Sequence, residues 1–454
     1  MAKNGRGPFA RDPSSPNELS RLTNEVTRRS FLGRMAALGG LALLGRGGLL
    51  KAEAFSNSNL PNPNNSGIQH IVVVMMENRS FDHFLGWLPN ANGRQSGLTY
   101  TDASDQPHPT YHLQDYQGCG HPDPDHSYAG GRIEYNRGRC NGWLRAGTND
   151  TYCIGYYTQS DLPFLGQAAP NWTTFSRYFA AMMAETYPNR IYQHAAQTDR
   201  LTNTTAISSL PTIWDLLAAQ GISATYYYSD VPFLALWGPK YLPISRPIAQ
   251  FYADAAAGTL PAVSFVDPSF LGEAQGISND DHPHGDIRNG EAFLNHMYAA
   301  VTMGAGWANT VMVINFDEWG GFFEHIPPPT APIPPATAAA GDTDGRRGFR
   351  VPCLLISPWS RRGFVGGALY DHCSVLKMIE WRWGLPNLTV RDASANNLAQ
   401  ALKFGQRNLW APQFAVPQGP FGSLCSTSSI TASPEQREWS DLASVAFSTG
   451  WRVY

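Results

Sequence analysis

Two uninterrupted seven-residue runs constrain this chain most: HIVVVMM, His70–Met76, and TVMVINF, Thr310–Phe316. A half-exposed strand alternates apolar and polar residues. A run with no such alternation needs cover on both faces, which is the condition of a strand inside a parallel sheet flanked by helices. Each run ends in acids. The first continues into Glu77-Asn78-Arg79-Ser80-Phe81-Asp82 and the second into Asp317-Glu318-Trp319-Gly320-Gly321. Ligands of open α/β sheets bind outside the carboxyl ends of the strands, so both acidic groups fall where a site is expected.

The rest of the chain alternates in the same way. Strands are expected over residues 222–228, 262–266 and 351–357, the last ended by Pro358. Helices are expected over 212–220, stopped by Gly221, over 291–303, and over 371–383, stopped by Gly384 with Val375, Leu376, Ile379 and Trp383 on one face. This predicts an α/β fold, a mostly parallel sheet sandwiched by helices, with long loop insertions. The proline-alanine stretch at 327–340 has no hydrophobic period and reads as an exposed loop, so residues 55–454 are expected to form a single domain.

The amino terminus reads as a twin-arginine signal peptide over residues 1–54. Arg28-Arg29-Ser30-Phe31-Leu32 precedes a weakly apolar run at 35–50, then Ala52-Glu53-Ala54, a small-x-small cleavage site. A spanning helix needs about 20 apolar residues, whereas this run is shorter, contains Arg46 and holds five glycines. The expected destination is the periplasm or the medium, with the twin-arginine export machinery as a partner. Without residues 1–54 the chain has 24 basic and 32 acidic side chains, a net charge of −8. That balance disfavours nucleic acid and anionic membranes as partners. Six cysteines are compatible with disulfides after export, and Cys119, Cys140 and Cys153 are expected to hold one bridge within a long loop. Cys353, inside VPCLLIS, reads as a small core residue. No CxxC pair is present, which argues against a zinc ribbon.

Glu77, Asn78, Asp317 and Glu318 would make an oxygen-rich site, suited to one divalent calcium, magnesium or manganese ion rather than a thiolate-loving metal. Between the acidic pairs lies Glu185-Thr186-Tyr187-Pro188-Asn189-Arg190. Read locally, Thr186 is an ordinary N-cap. The functional reading makes it a nucleophile beside the metal at a helix amino end, with Arg190 reaching phosphate oxygens. Two histidine clusters remain, Asp123-Pro124-Asp125-His126-Ser127-Tyr128 and Asp280-Asp281-His282-Pro283-His284-Gly285-Asp286. Each reads locally as a solvated loop. Functionally, a histidine flanked by carboxylates is expected to gain basicity and to deliver a proton to a leaving oxygen.

Taken together, HIVVVMMENRSFDHFLGWLP, HPDPDHSY, GYYTQSDLPF, AETYPNR, NDDHPHGDIRNGE, INFDEWGGFFEHIPPP and GFRVPCLLISPWSRRGFV resemble the bacterial phosphoesterase family of phospholipases C and acid phosphatases, related to plant non-specific phospholipases C. The resemblance covers most of residues 68–384. It implies a fold similar to alkaline phosphatases and sulfatases, and a metal site of Glu77, Asn78, Asp317 and Glu318 that Thr186 joins as covalent nucleophile. His126 and His282 match positions that contact the phosphate or the leaving group. One departure concerns the DHP unit. Some relatives have a second histidine two residues after it, where this chain has Gly285, with His284 one place earlier. The chain continues about 70 residues past Gly384, which implies a smaller, non-haemolytic enzyme.

The expected activity is a secreted phospholipase C releasing diacylglycerol and a phosphorylated head group, with transient contact at a membrane surface. Its rival is a broad acid phosphatase on phosphomonoesters, and a third reading is a non-catalytic anion-binding protein. A choline head group would favour an aromatic cage, for which Trp143, Tyr152, Tyr156, Tyr157 and Phe164 are candidates. Replacing Arg28 and Arg29 together with lysine should leave precursor in the cytoplasm. Unchanged export of protein starting near Phe55, read by fractionation and terminal sequencing, would exclude the twin-arginine route.

Overall fold

Both runs are strands in the computed structural model, and they are neighbours. The structure describes residues 60–426 and 438–454; the expected leader lies outside them. Eight strands make the central sheet: β1 His70–Met76, β2 Thr173–Phe175, β3 Ala224–Tyr228, β4 Ser245–Pro247, β5 Val263–Asp267, β6 Thr310–Phe316, β7 Cys353–Ile356 and β8 Phe364–Gly366. Their spatial order is β8-β2-β7-β6-β1-β5-β3-β4. Only β7 is antiparallel to its neighbours β6 and β2. Every residue of β6 is buried, as is all of β1 except His70, which is what strands covered on both faces require.

The main helices are α1 Thr186–Ala195, α2 Ile213–Ala219, α3 Ile248–Ala257, α4 Ile287–Met303, α5 His372–Trp383 and α6 Glu438–Ser448. Helix α1 packs on α5, and α3 on α4. The boundaries follow the capping chemistry. Thr212 and Asp215 form a capping box on α2, Asp371 caps α5 through the Cys373 N–H, and Gly384 ends α5 at φ 66°. Helix α4 begins four residues before the expected 291, because the Asp286 side chain accepts from the Arg288 N–H and caps it there.

Residues 327–340 are more than an exposed loop. They contain the short helix Pro335–Ala339, whose buried Thr337 hydroxyl accepts from the Thr198 N–H at 3.0 Å. The aromatic-cage expectation fails for a packing reason. Of its five residues, Trp143, Tyr152, Tyr157 and Phe164 are all 0% exposed and belong to the core, and only Tyr156 is half-buried.

The disulfide joins Cys119 to Cys425 across 306 residues, with Cα atoms 5.4 Å apart. This corrects the expected local bridge. Cys140 and Cys153 are instead buried thiols in the cluster around Trp143 and Trp319, and Cys353 is a buried core thiol as expected. The bridge ties the segment leading to His126 to the carboxyl-terminal region. Cys425→Ser should lower stability by about 2–4 kcal/mol, the usual worth of a long-range bridge. Reductant should lower the melting temperature of the wild type and leave that of the variant unchanged; equal sensitivity would contradict the pairing.

Candidate active site

Strand register alone brings the two acidic groups together. Met76 pairs with Phe316, so Glu77 and Asp317 leave adjacent strands side by side. The Asp317 N–H donates to the Met76 carbonyl at 3.0 Å, and the Glu77 N–H to the Asp280 carbonyl at 2.8 Å. Asn78 sits in the left-handed region at φ 57°, which asparagine tolerates, and its N–H donates to Asp317 Oδ1 at 3.2 Å. Gly320 is required opposite it, since a Cβ there would lie 2.1 Å from the Asn78 carbonyl oxygen. Behind the site, His372 bonds the Asp317 carbonyl through Nε2 at 2.6 Å and the Tyr178 hydroxyl through Nδ1 at 3.2 Å, which fixes the turn after β6.

Helix α1 meets this corner with its amino end. Arg190 is buried, and its Nε donates to Glu77 Oε1 at 3.0 Å and to Asp317 Oδ2 at 3.1 Å. Its Nη1 donates to Asp267 Oδ1, at the end of β5, at 3.0 Å. Arg190 therefore braces the carboxylates of three adjacent strands; the expected contact with phosphate is not where its guanidinium points. Thr186 lies four residues earlier, one turn toward the amino end on the same face of α1. It is the first helical residue rather than the cap, which is Glu185, and its buried Oγ1 has no hydrogen-bond partner.

Among the five expected ligands, Thr186 Oγ1 is one of four such atoms. Glu77 Oε2, Asn78 Oδ1 and Glu318 Oε1 are also buried without a partner. Buried polar atoms are normally hydrogen-bonded, because desolvating them uncompensated costs about 1–3 kcal/mol each. Four orphaned hard oxygens on four of the five expected ligands fit a divalent cation. The fifth, Asp317, is engaged by backbone N–H groups and Arg190. Charge points the same way. Burial pushes the Glu77 carboxyl well above its ordinary range, against the pull of Arg190, and burial does the same to Glu318, against the pull of His126. One guanidinium does not balance this many carboxylates.

Both loop histidines are buried rather than solvated. His126 Nδ1 donates to the Pro124 carbonyl at 2.8 Å, which turns its Nε2 lone pair toward the Asn78 amide nitrogen, 3.4 Å away. His282 Nδ1 likewise donates to the Pro283 carbonyl. Its Nε2 lies 3.7 Å from Asp123 Oδ2, and its ring centroid is 5.9 Å from that of His126. Ligand atoms of Asp123, His126 and His282 lie within 4.8 Å of one another, as do those of Glu77, Glu273 and His282. The expected gain in basicity does not hold for His282. Burial, then the neighbouring His126, push its pKa well below the ordinary histidine value, against the hydrogen bond to the Pro283 carbonyl; the nearest carboxylate oxygens are 3.7 and 3.8 Å away. His284 Nε2 donates to the His121 carbonyl at 2.9 Å and thereby ties the two histidine loops together.

A separate cluster of Asp82, Glu324 and His325 already has its cation: Arg350 Nη2 lies 3.1 Å from Asp82 and 2.7 Å from Glu324. Sequence reading missed Asp267 and Glu273 as members of the central site, and placed Asp123 only in the first histidine cluster. Asp267 was within reach of the strand-end rule, had the strand been read one residue further; Glu273, in an irregular loop, carries no such signal.

Relatives match the chain over most of its length. The chain is 30% identical over 384 residues to non-specific phospholipase C1 of Arabidopsis thaliana, covering 75% of this chain and 72% of the relative. It is 30% identical over 462 residues to phospholipase C B of Mycobacterium tuberculosis, covering 84% and 86%. Similar solved structures include an alkaline phosphatase superfamily protein from Vibrio parahaemolyticus, at 11% identity, TM-score 0.36 and coverage of 67% and 70%. The phosphonate monoester hydrolase of Agrobacterium radiobacter is another, at 10% identity, TM-score 0.36 and coverage of 76% and 79%. Residues 68–386 match the model of the phosphoesterase family, a span that takes in both acidic strand ends, Thr186 and both histidine loops, and the chain belongs to that family of phosphoric ester hydrolases.

Proposed function

We propose that this chain is a phospholipase C that cleaves a phosphatidylcholine-like diester through a phosphothreonine intermediate on Thr186. The observation that carries the reading is the buried, unpartnered Oγ1 of Thr186, one turn before the arginine that binds Glu77 and Asp317. The two phospholipases C at 30% identity favour a lipid diester over a monoester.

In the proposed sequence, Thr186 Oγ1 attacks phosphorus and the bond to the glycerol oxygen breaks, releasing diacylglycerol and leaving the head-group phosphoryl on Thr186. Water then attacks the same phosphorus, releases the phosphorylated head group and restores the hydroxyl. Glu77, Asn78, Thr186, Asp317 and Glu318 are the ligands proposed for one divalent ion, which when bound polarises the phosphoryl oxygen and lowers the pKa of the hydroxyl. Arg190 holds the strand-end carboxylates apart in fixed directions, so that little reorganisation accompanies reaction. His126 and His282 are assigned to phosphate contact and to proton delivery to the leaving oxygen. With each Nδ1–H on a carbonyl, each presents an Nε2 lone pair, and an entering phosphoryl anion raises its affinity for a proton.

Export beyond the cytoplasm is part of the proposal. It is supported by the Arg28-Arg29 segment and by the Cys119–Cys425 bridge, which suits an oxidising compartment.

Asp317→Asn removes one charge with little change of volume, so metal content and phosphoester hydrolysis should fall together while the fold survives. Full activity of exhaustively chelated wild-type protein would exclude a catalytic metal.

Acid quench during turnover, followed by peptide mass analysis, should find an adduct on Thr186. The adduct is a head-group phosphoryl with a diester substrate and a bare phosphoryl with a monoester. Thr186→Ser should keep appreciable turnover and Thr186→Ala almost none. Near wild-type rates in the alanine variant would overturn the covalent route, and turnover of nitrophenyl phosphate without turnover of short-chain phosphatidylcholine would make the enzyme an acid phosphatase.

A further inference from the structure

A surface groove runs along α4 where that helix packs on α3. One part, a cavity of about 580 Å³, is walled by Tyr252 and Ala256 of α3 and by Ala299, Ala300 and Met303 of α4. A second part, about 430 Å³, is bounded by Ile277, Asn279, Asn289, Phe293, Gln418 and Phe421. The two share Tyr252 and His296 as a common wall, so they adjoin along the helix. On α4 the lining positions 289, 292, 293, 296, 299, 300 and 303 recur at helical spacing and form one stripe.

Three properties of the groove select its occupant. It is long: from Asn289 to Met303 the helix rises about 21 Å. It is free of formal charge, since none of the lining residues is Asp, Glu, Lys or Arg. Its polarity is uneven: Ser229, Asn279, Asn289 and Gln418 stand among Ile277, Phe293 and Phe421 in one part, and alanines and Met303 line the other end. The polar end is the catalytic end. Helix α4 leads back to the amino end of β6, so its own amino terminus lies at the carboxyl ends of the strands. Asn279 there precedes Asp280, whose carbonyl accepts the Glu77 N–H. A long uncharged groove whose more polar part lies toward the carboxyl ends of the strands and whose other part is apolar matches a glycerol ester with a fatty tail.

We propose that this groove is an acyl-chain subsite: the ester end of one chain lies by Asn279, Asn289 and Gln418, and its tail runs between α3 and α4 toward Met303. The proposal rests on the phospholipase reading and extends it to a preference for longer chains.

The test uses two plugging variants, Ala300→Trp on α4 and Ala256→Trp on α3; neither residue touches the catalytic cluster, and Ala256 is exposed. With monomeric phosphatidylcholines, wild-type kcat/KM should rise as chains lengthen from four to eight carbons, by up to roughly fourfold per buried methylene. Each variant should flatten that rise while cleaving nitrophenyl phosphocholine, which has no acyl chain, at the wild-type rate. A chain-length profile unchanged in both variants overturns the subsite. Calorimetry with monomeric 1-decanoylglycerol, which carries no phosphate, separates the two ideas. Binding by the wild type that both variants lose supports the groove even if no phospholipid is hydrolysed, in which case the phospholipase reading alone falls. No binding by the wild type overturns the groove.

Discussion

The buried guanidinium of Arg190 is the interaction on which the site depends. It touches Glu77, Asp267 and Asp317 at the carboxyl ends of β1, β5 and β6, three adjacent strands, with Phe270 and Trp439 stacked against it. A buried ion pair with one partner removed typically costs about 3–5 kcal/mol, because the remaining charge stays unpaired in a poor solvent. Here one cation serves three anions, so its loss would leave several carboxylates uncompensated at once. The same contact sets geometry. Arg190 anchors α1 on the strand ends, and Thr186 lies one turn away on the same face of that helix.

Distance along the chain decided what could be read from sequence. Strands β1 and β6 and their acidic ends were legible because burial on both faces leaves a continuous apolar run, and the strand-end rule needs no partner information. Helix α5 was legible from Asp371, Gly384 and one apolar face. The Cys119–Cys425 bridge was not, because 306 residues separate the two and nothing local distinguishes Cys119 from Cys140 or Cys153. Thr186 shows the limit most clearly. A threonine beside a helix start looks like a cap in any sequence, and only three dimensions show it to be the first helical residue, buried and without a hydrogen-bond partner.

The histidines teach a related point about charge. Carboxylates flank His282 in sequence, which suggests a raised pKa, yet its nearest carboxylate oxygens are 3.7 and 3.8 Å away and its Nδ1 is spent on a backbone carbonyl. Full burial then dominates and the ring stays neutral. Sequence proximity counts charges; the sign of the shift follows from solvent exclusion and hydrogen-bond geometry, neither of which is local. His284 illustrates the structural side of the same loop, tying it to His121 and so to the strip that carries Asp123 and His126.

These features couple the site to the stability of the fold. Four buried oxygens without partners, beside carboxyls that burial drives toward their neutral forms, are a standing cost to the native state. A cation held there on the proposed reading would bind the folded chain and not the unfolded one, since its ligands come from β1, α1 and β6, more than 200 residues apart at the extremes. Such a ligand stabilises by about 2.7 kcal/mol at a hundred times its Kd. The carboxylates would then be kept ionised by the metal and Arg190 together, with opposite faces of the same cluster neutralised by different cations. Arg190 ties together the carboxylates that the strand register has set side by side, and the second positive charge would offset the desolvation of the oxygens that Arg190 does not reach.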